Sequence, residues 1–161
     1  MTDLNKILSP LYLSDAEIRK TIELFFFSYR EFTLGPDEIL NKLNFGRAHH
    51  RIIYFVGKQK KITIKELLSI LQITKQSLSR VLNQLVKEKF ILVSTGIDKR
   101  TKNLSLTKKG GDLEKELSTI QINKIRNVLK QFNEKDINGF KKILYAMIEE
   151  KNKKKFDEIN N

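Results

Sequence analysis

The segment ITIKELLSILQITKQSLSRVLNQLVKEK, residues 62–89, decides the fold of this chain. Thr63 and Glu66 have the spacing of a capping box, in which two side chains at a helix start satisfy backbone N–H groups for each other. This pattern predicts a short helix. Thr74 is a suitable N-cap for a second helix that runs to about Lys89. Two helices separated by so short a turn predict a helix-turn-helix.

The second of these helices has two faces. Its apolar residues fall on one side and predict packing against the first helix: Leu78, Val81, Leu82 and Leu85. The opposite face has no acidic residue before Glu88 and carries Lys75, Gln76, Ser79, Arg80, Asn83 and Lys87. Amide and guanidinium groups of this kind read base edges in the DNA major groove. Thr74 and Lys75 stand at the positive helix N-terminus, which suits a phosphate.

A polar face alone does not indicate DNA binding, because any solvent-exposed helix has one. The basic hairpin that follows this helix strengthens the interpretation. Residues 90–106 have the pattern of two short strands around a turn. The tip carries Lys99, Arg100 and Lys102, and such a wing can reach the neighbouring minor groove, where arginine meets concentrated negative potential. Because an acid is unfavourable beside phosphate, we expect Asp98 to orient Arg100 or another basic side chain.

The net charge of +12 is concentrated in this part of the chain. Residues 57–111 contain thirteen basic side chains and only three acidic ones, whereas residues 1–56 are neutral and residues 112–161 are close to neutral. A codon bias towards lysine would spread lysine evenly and would not remove acids from one segment. We therefore interpret residues 57–111 as a surface that binds a polyanion.

Amphipathic helices precede the basic centre. Ser14 begins a first helix, which Gly35-Pro36 should end. A second helix should cover residues 37–43, break at residues 44–46 and resume through residues 47–56, with Gly57 at its end.

Two further helices should follow the hairpin, one beginning at Thr107 and the last capped by Asn133, with a lysine-rich tail near residues 151–155. Wide apolar stripes at both ends of so small a protein need a surface to bury against. The terminal helices could pack on each other within one chain or on a second copy, and we predict the second arrangement, a twofold dimer.

Several classes of protein are disfavoured by composition. The chain has no cysteine, which excludes disulfides and thiolate metal sites, and no apolar run of about 18–20 residues that would span a bilayer. The N-terminus does not have the pattern of a signal peptide, so we expect a cytoplasmic protein. We find no phosphate-binding glycine loop, and the only two histidines are neighbours, a poor geometry for a catalytic relay. We expect no enzyme activity, cofactor or metal.

The span from about Leu43 to Leu113 resembles the MarR family of winged-helix regulators. The resemblance is carried by ITIKELLSIL, ITKQSLSRVLNQLVKEKFI, the D-x-R wing motif at residues 98–100 and LTKKG at residues 106–110, and the flanking helices extend it over nearly the whole chain. The runs RAHHRIIYFV and ITKQSLSRVL are similar to an alphaproteobacterial subgroup that includes PetP-type regulators. One departure is Lys89, where the family usually has glycine.

The resemblance implies a mainly α protein with a small β-hairpin wing. It implies a single domain in which residues 1–45 and 107–161 form dimerisation helices and residues 46–106 form the winged helix-turn-helix. It further implies a homodimer on a palindromic operator in double-stranded DNA. The recognition helix would contribute Gln76, Ser79, Arg80 and Asn83, and Arg100 would enter the minor groove.

Many members of this family bind small aromatic or otherwise apolar anions between the dimer helices and the winged region. The residues that would line such an effector pocket here are Phe27, His49, His50, Arg51 and Tyr54. Since adjacent residues on a helix point about 100° apart, only one histidine can face a single site. Packing or hydrogen bonding between helices is the alternative role for both.

Two other functions stay open. A non-specific, architectural nucleic-acid-binding protein would need only phosphate contacts, which the abundance of lysine also fits. A protein–protein interaction module would leave the loss of acids from residues 57–111 without explanation.

Overall fold

The computed structural model describes residues 11–160, and this part of the chain is mostly helical. After one 3-10 turn at Leu11–Leu13, the elements in chain order are α1 (Asp15–Lys42), α2 (Arg47–Lys58), β1 (Ile62–Thr63), α3 (Ile64–Leu71), α4 (Lys75–Lys87), β2 (Ile91–Thr95), β3 (Lys102–Leu106), α5 (Lys108–Leu129), α6 (Glu134–Ala146) and α7 (Glu150–Asn160). A mainly α fold with a small hairpin, as predicted, is confirmed.

The first helix begins at Ser14 but does not stop at Gly35-Pro36. α1 continues to Lys42, so the separate helix predicted for residues 37–43 is wrong. A proline inside a helix costs about 3 kcal/mol because it removes a backbone hydrogen bond. Pro36 is buried here, and a Cβ at Gly35 would lie 2.8 Å from Cγ2 of Ile120 on α5. Close packing of α1 on α5 therefore overrides the local stop signal.

The predicted break at residues 44–46 is confirmed. Asn44 adopts a left-handed conformation with φ of 53°, and the N–H of Phe45 donates to the carbonyl of Leu40 at 2.9 Å. This backbone geometry is that of a Schellman motif, which ends a helix by satisfying its last carbonyls. The next helix passes through Gly57 to Lys58, so the prediction that Gly57 ends it is wrong.

Both helices of the helix-turn-helix start at the predicted caps. The hydroxyl of Thr63 accepts from the N–H of Glu66 at 3.1 Å, and a carboxylate oxygen of Glu66 accepts from the N–H of Thr63 at 2.8 Å. The second of these bonds is the largest cause of a lowered pKa for Glu66. The hydroxyl of Thr74 accepts from the N–H of Ser77 at 3.1 Å. These caps fix where α3 and α4 begin.

The hairpin belongs to a three-stranded antiparallel sheet with strand order β1-β3-β2. Leu104 of β3 is paired with Val93 on one side and with Ile62 on the other. The short strand β1 thus joins the beginning of the helix-turn-helix to the wing.

Lys89, at the position where the resemblance noted above implies glycine, has a left-handed backbone conformation with φ of 62°. The N–H of Phe90 donates to the carbonyl of Leu85 at 2.8 Å and that of Lys89 donates to Val86 at 3.0 Å, again a Schellman motif. Lys89 therefore tolerates a backbone conformation that favours glycine.

The C-terminal region contains one helix more than predicted. Thr107 and Asn133 cap α5 and α6 as expected. The lysine-rich tail predicted near residues 151–155 is part of the helix α7, which contacts the helix-turn-helix and α2. There Asn152 accepts a hydrogen bond from Gln72 at 2.5 Å, and Asn160 accepts one from Lys58 at 2.6 Å.

The buried core is centred on the helix-turn-helix. It combines the end of α1 with α2, α3, α4, the sheet and the first half of α5. Neither α6 nor α7 has a buried residue, although both carry large apolar side chains. None of the helices in residues 11–160 is long and apolar enough to cross a membrane.

Candidate DNA interface

The helix α4 is held by its apolar face and exposes the opposite one. Its four buried residues are those predicted: Leu78, Val81, Leu82 and Leu85. All six residues assigned to recognition are exposed: Thr74, Lys75, Gln76, Ser79, Arg80 and Asn83. Within residues 11–160, the side chains of Gln76, Arg80 and Asn83 have no hydrogen-bond partner. Their donors and acceptors are therefore available to a ligand.

The wing presents its cations on an ordered turn. The backbone N–H of Arg100 donates to Oδ1 of Asp98 at 2.9 Å, and the N–H and hydroxyl of Thr101 both donate to the carbonyl of Asp98 at 2.8 Å. Lys99, Arg100 and Lys102 are exposed around this turn. Asp98 thus shapes the backbone of the turn, whereas the prediction had it orient a basic side chain.

The positive charge of this region is not neutralised within the described chain. The ion pairs found in residues 11–160 all lie outside residues 57–111. The three acids of that segment are occupied by uncharged donors: Thr63 for Glu66, the amide of Gln84 for Glu88, and a backbone N–H for Asp98. The cations keep their full field towards solvent.

The junction between wing and α5 was missed by the sequence reasoning. The ammonium of Lys109 donates to the carbonyl of Glu88 at 3.0 Å and lies 4.0 Å from the ring centroid of Phe90. It therefore caps the negative end of α4. Beside it, a Cβ at Gly110 would lie 2.0 Å from the carbonyl oxygen of Phe90. The sequence does contain a signal for this close approach, because two consecutive glycines, Gly110 and Gly111, are unusual in the first turn of a helix.

A cavity of about 930 Å³ lies between α1, α2 and α5. Three of the residues assigned to the effector pocket line it, namely His50, Arg51 and Tyr54. The remaining walls were not predicted and come mainly from α1 and α5: Tyr29, Phe32, Ser118, Gln121, Ile122, Ile125, Arg126 and Leu129. Residues so distant in sequence have no local pattern that would place them together.

The charged side chains that line this cavity are cations, one of which, Arg47, is paired with Asp37 at 2.8 Å. Four cations line it, and no carboxylate does: Arg47, Arg51, Arg126 and Lys130. Arg51 donates to the hydroxyl of Tyr29 at 3.3 Å. Burial lowers the pKa of His50, which favours the neutral form of this ring. The described residues contain no cluster of three or more side chains able to hold a metal.

The other two residues assigned to the pocket lie elsewhere. Phe27 is 51% exposed and packs edge-on against Phe26, with Arg30 4.9 Å from its ring centroid. The ring of His49 stacks on Phe45 and its Nε2 lies 2.9 Å from Oε1 of Gln84 on α4. Of the two histidines, His50 faces the cavity and His49 faces the recognition helix.

The two capped helices and the adjoining β2–β3 wing define a winged helix-turn-helix protein. The sequence profile of the MarR family matches residues 43–100. The HTH-type transcriptional regulator PetP of Rhodobacter capsulatus is 42% identical over 140 residues, which span 86% of this chain and 84% of PetP. The chain belongs to the MarR family of transcriptional regulators, and the predicted resemblance is confirmed.

Solved structures of similar fold agree with this assignment. FabT of Streptococcus pneumoniae, in complex with DNA, has a TM-score of 0.71 at 19% identity and covers 81% of this chain and 94% of its own. The MepR–DNA complex of Staphylococcus aureus has a TM-score of 0.62 at 23% identity and covers 78% of this chain and 93% of its own. At these identities the likeness shows the fold.

Proposed function

We propose that this protein is a homodimer that binds a palindromic operator in double-stranded DNA through α4 and the wing. The observation that carries the proposal is the exposed, hydrogen-bond-free face of Gln76, Arg80 and Asn83, set in a surface whose cations have no acidic partner among the described residues. Bidentate amide and guanidinium groups distinguish base pairs, whereas phosphate contacts require only charge.

The relatives support this proposal. MepR and FabT, which share the fold, were both solved with DNA. By analogy with helix-turn-helix dimers, the two copies of α4 would enter successive major grooves about 34 Å apart. Lys75 and Lys99 would contribute phosphate contacts that position the protein.

We expect Arg80→Ala to weaken binding to a duplex selected by the wild-type protein from a random library by about 1–3 kcal/mol. The reason is the loss of a base contact, so discrimination at one position should relax. Competition titration against random duplex DNA at fixed salt measures both affinities, and the wild-type protein should favour the selected duplex by about 10³ or more.

The control is Lys99→Ala, which removes a phosphate contact. It should weaken binding to both duplexes alike and reduce the salt slope by about one. A wild-type preference near unity would instead indicate the architectural, non-specific alternative. An equal loss on both duplexes for Arg80→Ala would reduce Arg80 to a phosphate contact.

The dimer is supported by the apolar surface of the terminal helices. α1 exposes Ile22, Leu24 and Phe26, each more than 60% accessible, and α6 has no buried residue. Patches of large apolar side chains on a single chain mark an interaction surface. A symmetric dimer would cover α1 and α6 together.

The cavity supports a small aromatic anion as effector. Its walls are largely aromatic and aliphatic, and its lining charges are positive. Such a site favours an apolar body with one negative charge. An effector bound there would act by favouring one spacing of the two recognition helices.

We expect benzoate to bind this cavity and neutral benzamide to bind at least about tenfold more weakly, since the charge-assisted hydrogen bond to Arg51 is lost. Isothermal titration measures both. Arg51→Gln should reduce the preference for benzoate, while Arg126 and Lys130 still line the cavity. Arg19→Gln, an exposed cation on α1 outside the cavity, should leave it unchanged. Equal affinities in the wild-type protein would contradict an anion site.

A further inference from the structure

We propose that His49 is a positioning residue for DNA recognition, which sets the orientation of α4 through one hydrogen bond to Gln84. This inference rests on the proposed DNA-binding function. Nε2 of His49 lies 2.9 Å from Oε1 of Gln84, thirty-five residues away in sequence, and both side chains are partly buried. The contact joins the first turn of α2 directly to the recognition helix.

The ring of His49 is fixed from three sides. Its Nδ1 accepts from the backbone N–H of Gly46 at 3.0 Å, which caps α2. Since Nδ1 is the acceptor, the ring proton lies on Nε2 and is donated to Gln84. The ring also stacks on Phe45 at 4.5 Å with an interplanar angle of 5°, and Phe45 itself is buried against Phe90. His49 is therefore a rigid donor.

The acceptor, the side-chain amide of Gln84, also has a fixed orientation. The amide nitrogen of Gln84 donates to a carboxylate oxygen of Glu88 at 3.0 Å, which orients the amide so that its oxygen faces His49. Gln84 follows Arg80 by one helical turn, and Asn83 is its neighbour. A rotation of α4 that moved these two side chains would break the bond to His49.

The hydrogen bond from His49 to Gln84 gives α4 a directional constraint that apolar packing does not give. The buried leucine and valine residues hold α4 against the core, but hydrophobic burial has no preferred direction and tolerates small rotations. A hydrogen bond weakens steeply as its angle departs from linearity. Base readout needs side chains held within about 0.5 Å of the productive position. Lys109 bonds only the carbonyl that follows the last turn of α4, whereas the bond from His49 reaches a side chain one turn from Arg80, so it fixes the register of Arg80 and Asn83 on the bases.

The contact also ties the recognition helix to the helix proposed for dimerisation. Side-chain contacts link α2 to α1, and the shortest is an ion pair in which Nη2 and Nε of Arg47 donate to Oδ2 of Asp37 at 2.8 and 3.0 Å. His49 stands two residues further along the same first turn of α2. Orientation is thus carried from α1 through α2 to α4, and the two copies of α4 in a dimer would share it.

The test uses two substitutions at His49 that separate its two bonds. His49→Asn retains an acceptor for the N–H of Gly46 but does not reach Gln84. His49→Gln reaches Gln84 with an amide N–H and loses the cap. Both remove the ring stacking on Phe45, so that contribution cancels between them. Each full-length variant is titrated with the duplex selected by the wild-type protein and with random duplex DNA, and its unfolding by urea is measured without DNA.

We expect His49→Asn to lower the ratio of selected to random affinity about five- to tenfold, the value of one directed hydrogen bond, while random-DNA affinity stays unchanged. His49→Gln should retain most of the ratio even where it is the less stable variant. Gln84→Met should match His49→Asn, and the double variant should lose no more than either single one, because both act through one contact.

Three results would overturn this inference: an unchanged ratio in His49→Asn, equal losses in His49→Asn and His49→Gln, or additive losses in the double variant. These results can be interpreted only when the wild-type protein prefers its selected duplex to random DNA. If it has no preference, the proposed function itself fails, and this outcome is distinct from the other three.

Discussion

Gly110→Ala is expected to destabilise the protein by about 3 kcal/mol, the upper part of the range for overpacking, and to lower its melting temperature by roughly 10 °C. A Cβ at this position would lie 2.0 Å from the carbonyl oxygen of Phe90 and 3.0 Å from the carbonyl carbon. The obstacle is backbone at the start of the wing, so no side-chain rotation relieves it. The same carbonyl accepts hydrogen bonds from the N–H and hydroxyl of Thr107, and moving it would disturb the cap of α5.

The neighbouring glycine is the matched control. A Cβ at Gly111 would have no atom within 4 Å, and the residue lies in the same helical turn. Gly111→Ala should therefore stabilise the protein by about 0.5–1 kcal/mol, because alanine loses less backbone entropy on folding. Urea unfolding of both variants measures the difference. Similar free energies for the two substitutions would show that the approach of α5 to the wing is not as close as the structure has it.

Local signals were sufficient for the elements around the site. Thr63, Thr74, Thr107 and Asn133 each begin a helix because the side-chain cap needs only residues within one turn. The division of α4 into a buried and an exposed face follows from its 3.6-residue period. The residue types of the recognition face were accordingly predictable before any packing was known.

Features that depend on packing were not predictable. Gly35-Pro36 has the local signature of a helix end, yet contact with Ile120, 85 residues later, keeps the helix intact. The acid- and lysine-rich residues 150–160 have weak apolar periodicity, and α7 is instead supported by contacts with α2 and α3.

The residues of the candidate effector cavity likewise include some that the sequence predicted and some that it did not. His50 and Arg51 were assigned to a cavity from the family resemblance and both line it, but the α5 wall with Arg126 has no sequence signal. His49 and Phe27 were assigned to that cavity on the same grounds and lie outside it. Helical phase separates His49 from His50 by about 100°, and sequence alone does not say which of the two turns inward.

Phe26→Glu is expected to convert the proposed dimer to a monomer and to weaken binding to the selected duplex at least about 100-fold. Phe26 is 66% exposed on α1, so the single chain loses little packing when it is replaced. In a twofold dimer the substitution is present twice, and each copy would bury an unpaired carboxylate. Without the dimer, the two half-sites are bound independently and the gain from linking them, about 10²–10⁴, is lost.

Sedimentation velocity measures the association state, and circular dichroism checks that the helix content is unchanged. The control is Ile97→Glu, which introduces the same charge at another large apolar side chain. Ile97 is fully exposed at the tip of the wing, away from the terminal helices. That variant should sediment as the wild-type protein does. Equal behaviour of the two variants, or a wild-type protein that is monomeric at micromolar concentration, would show that the apolar face of α1 has another occupant than a second copy of this chain.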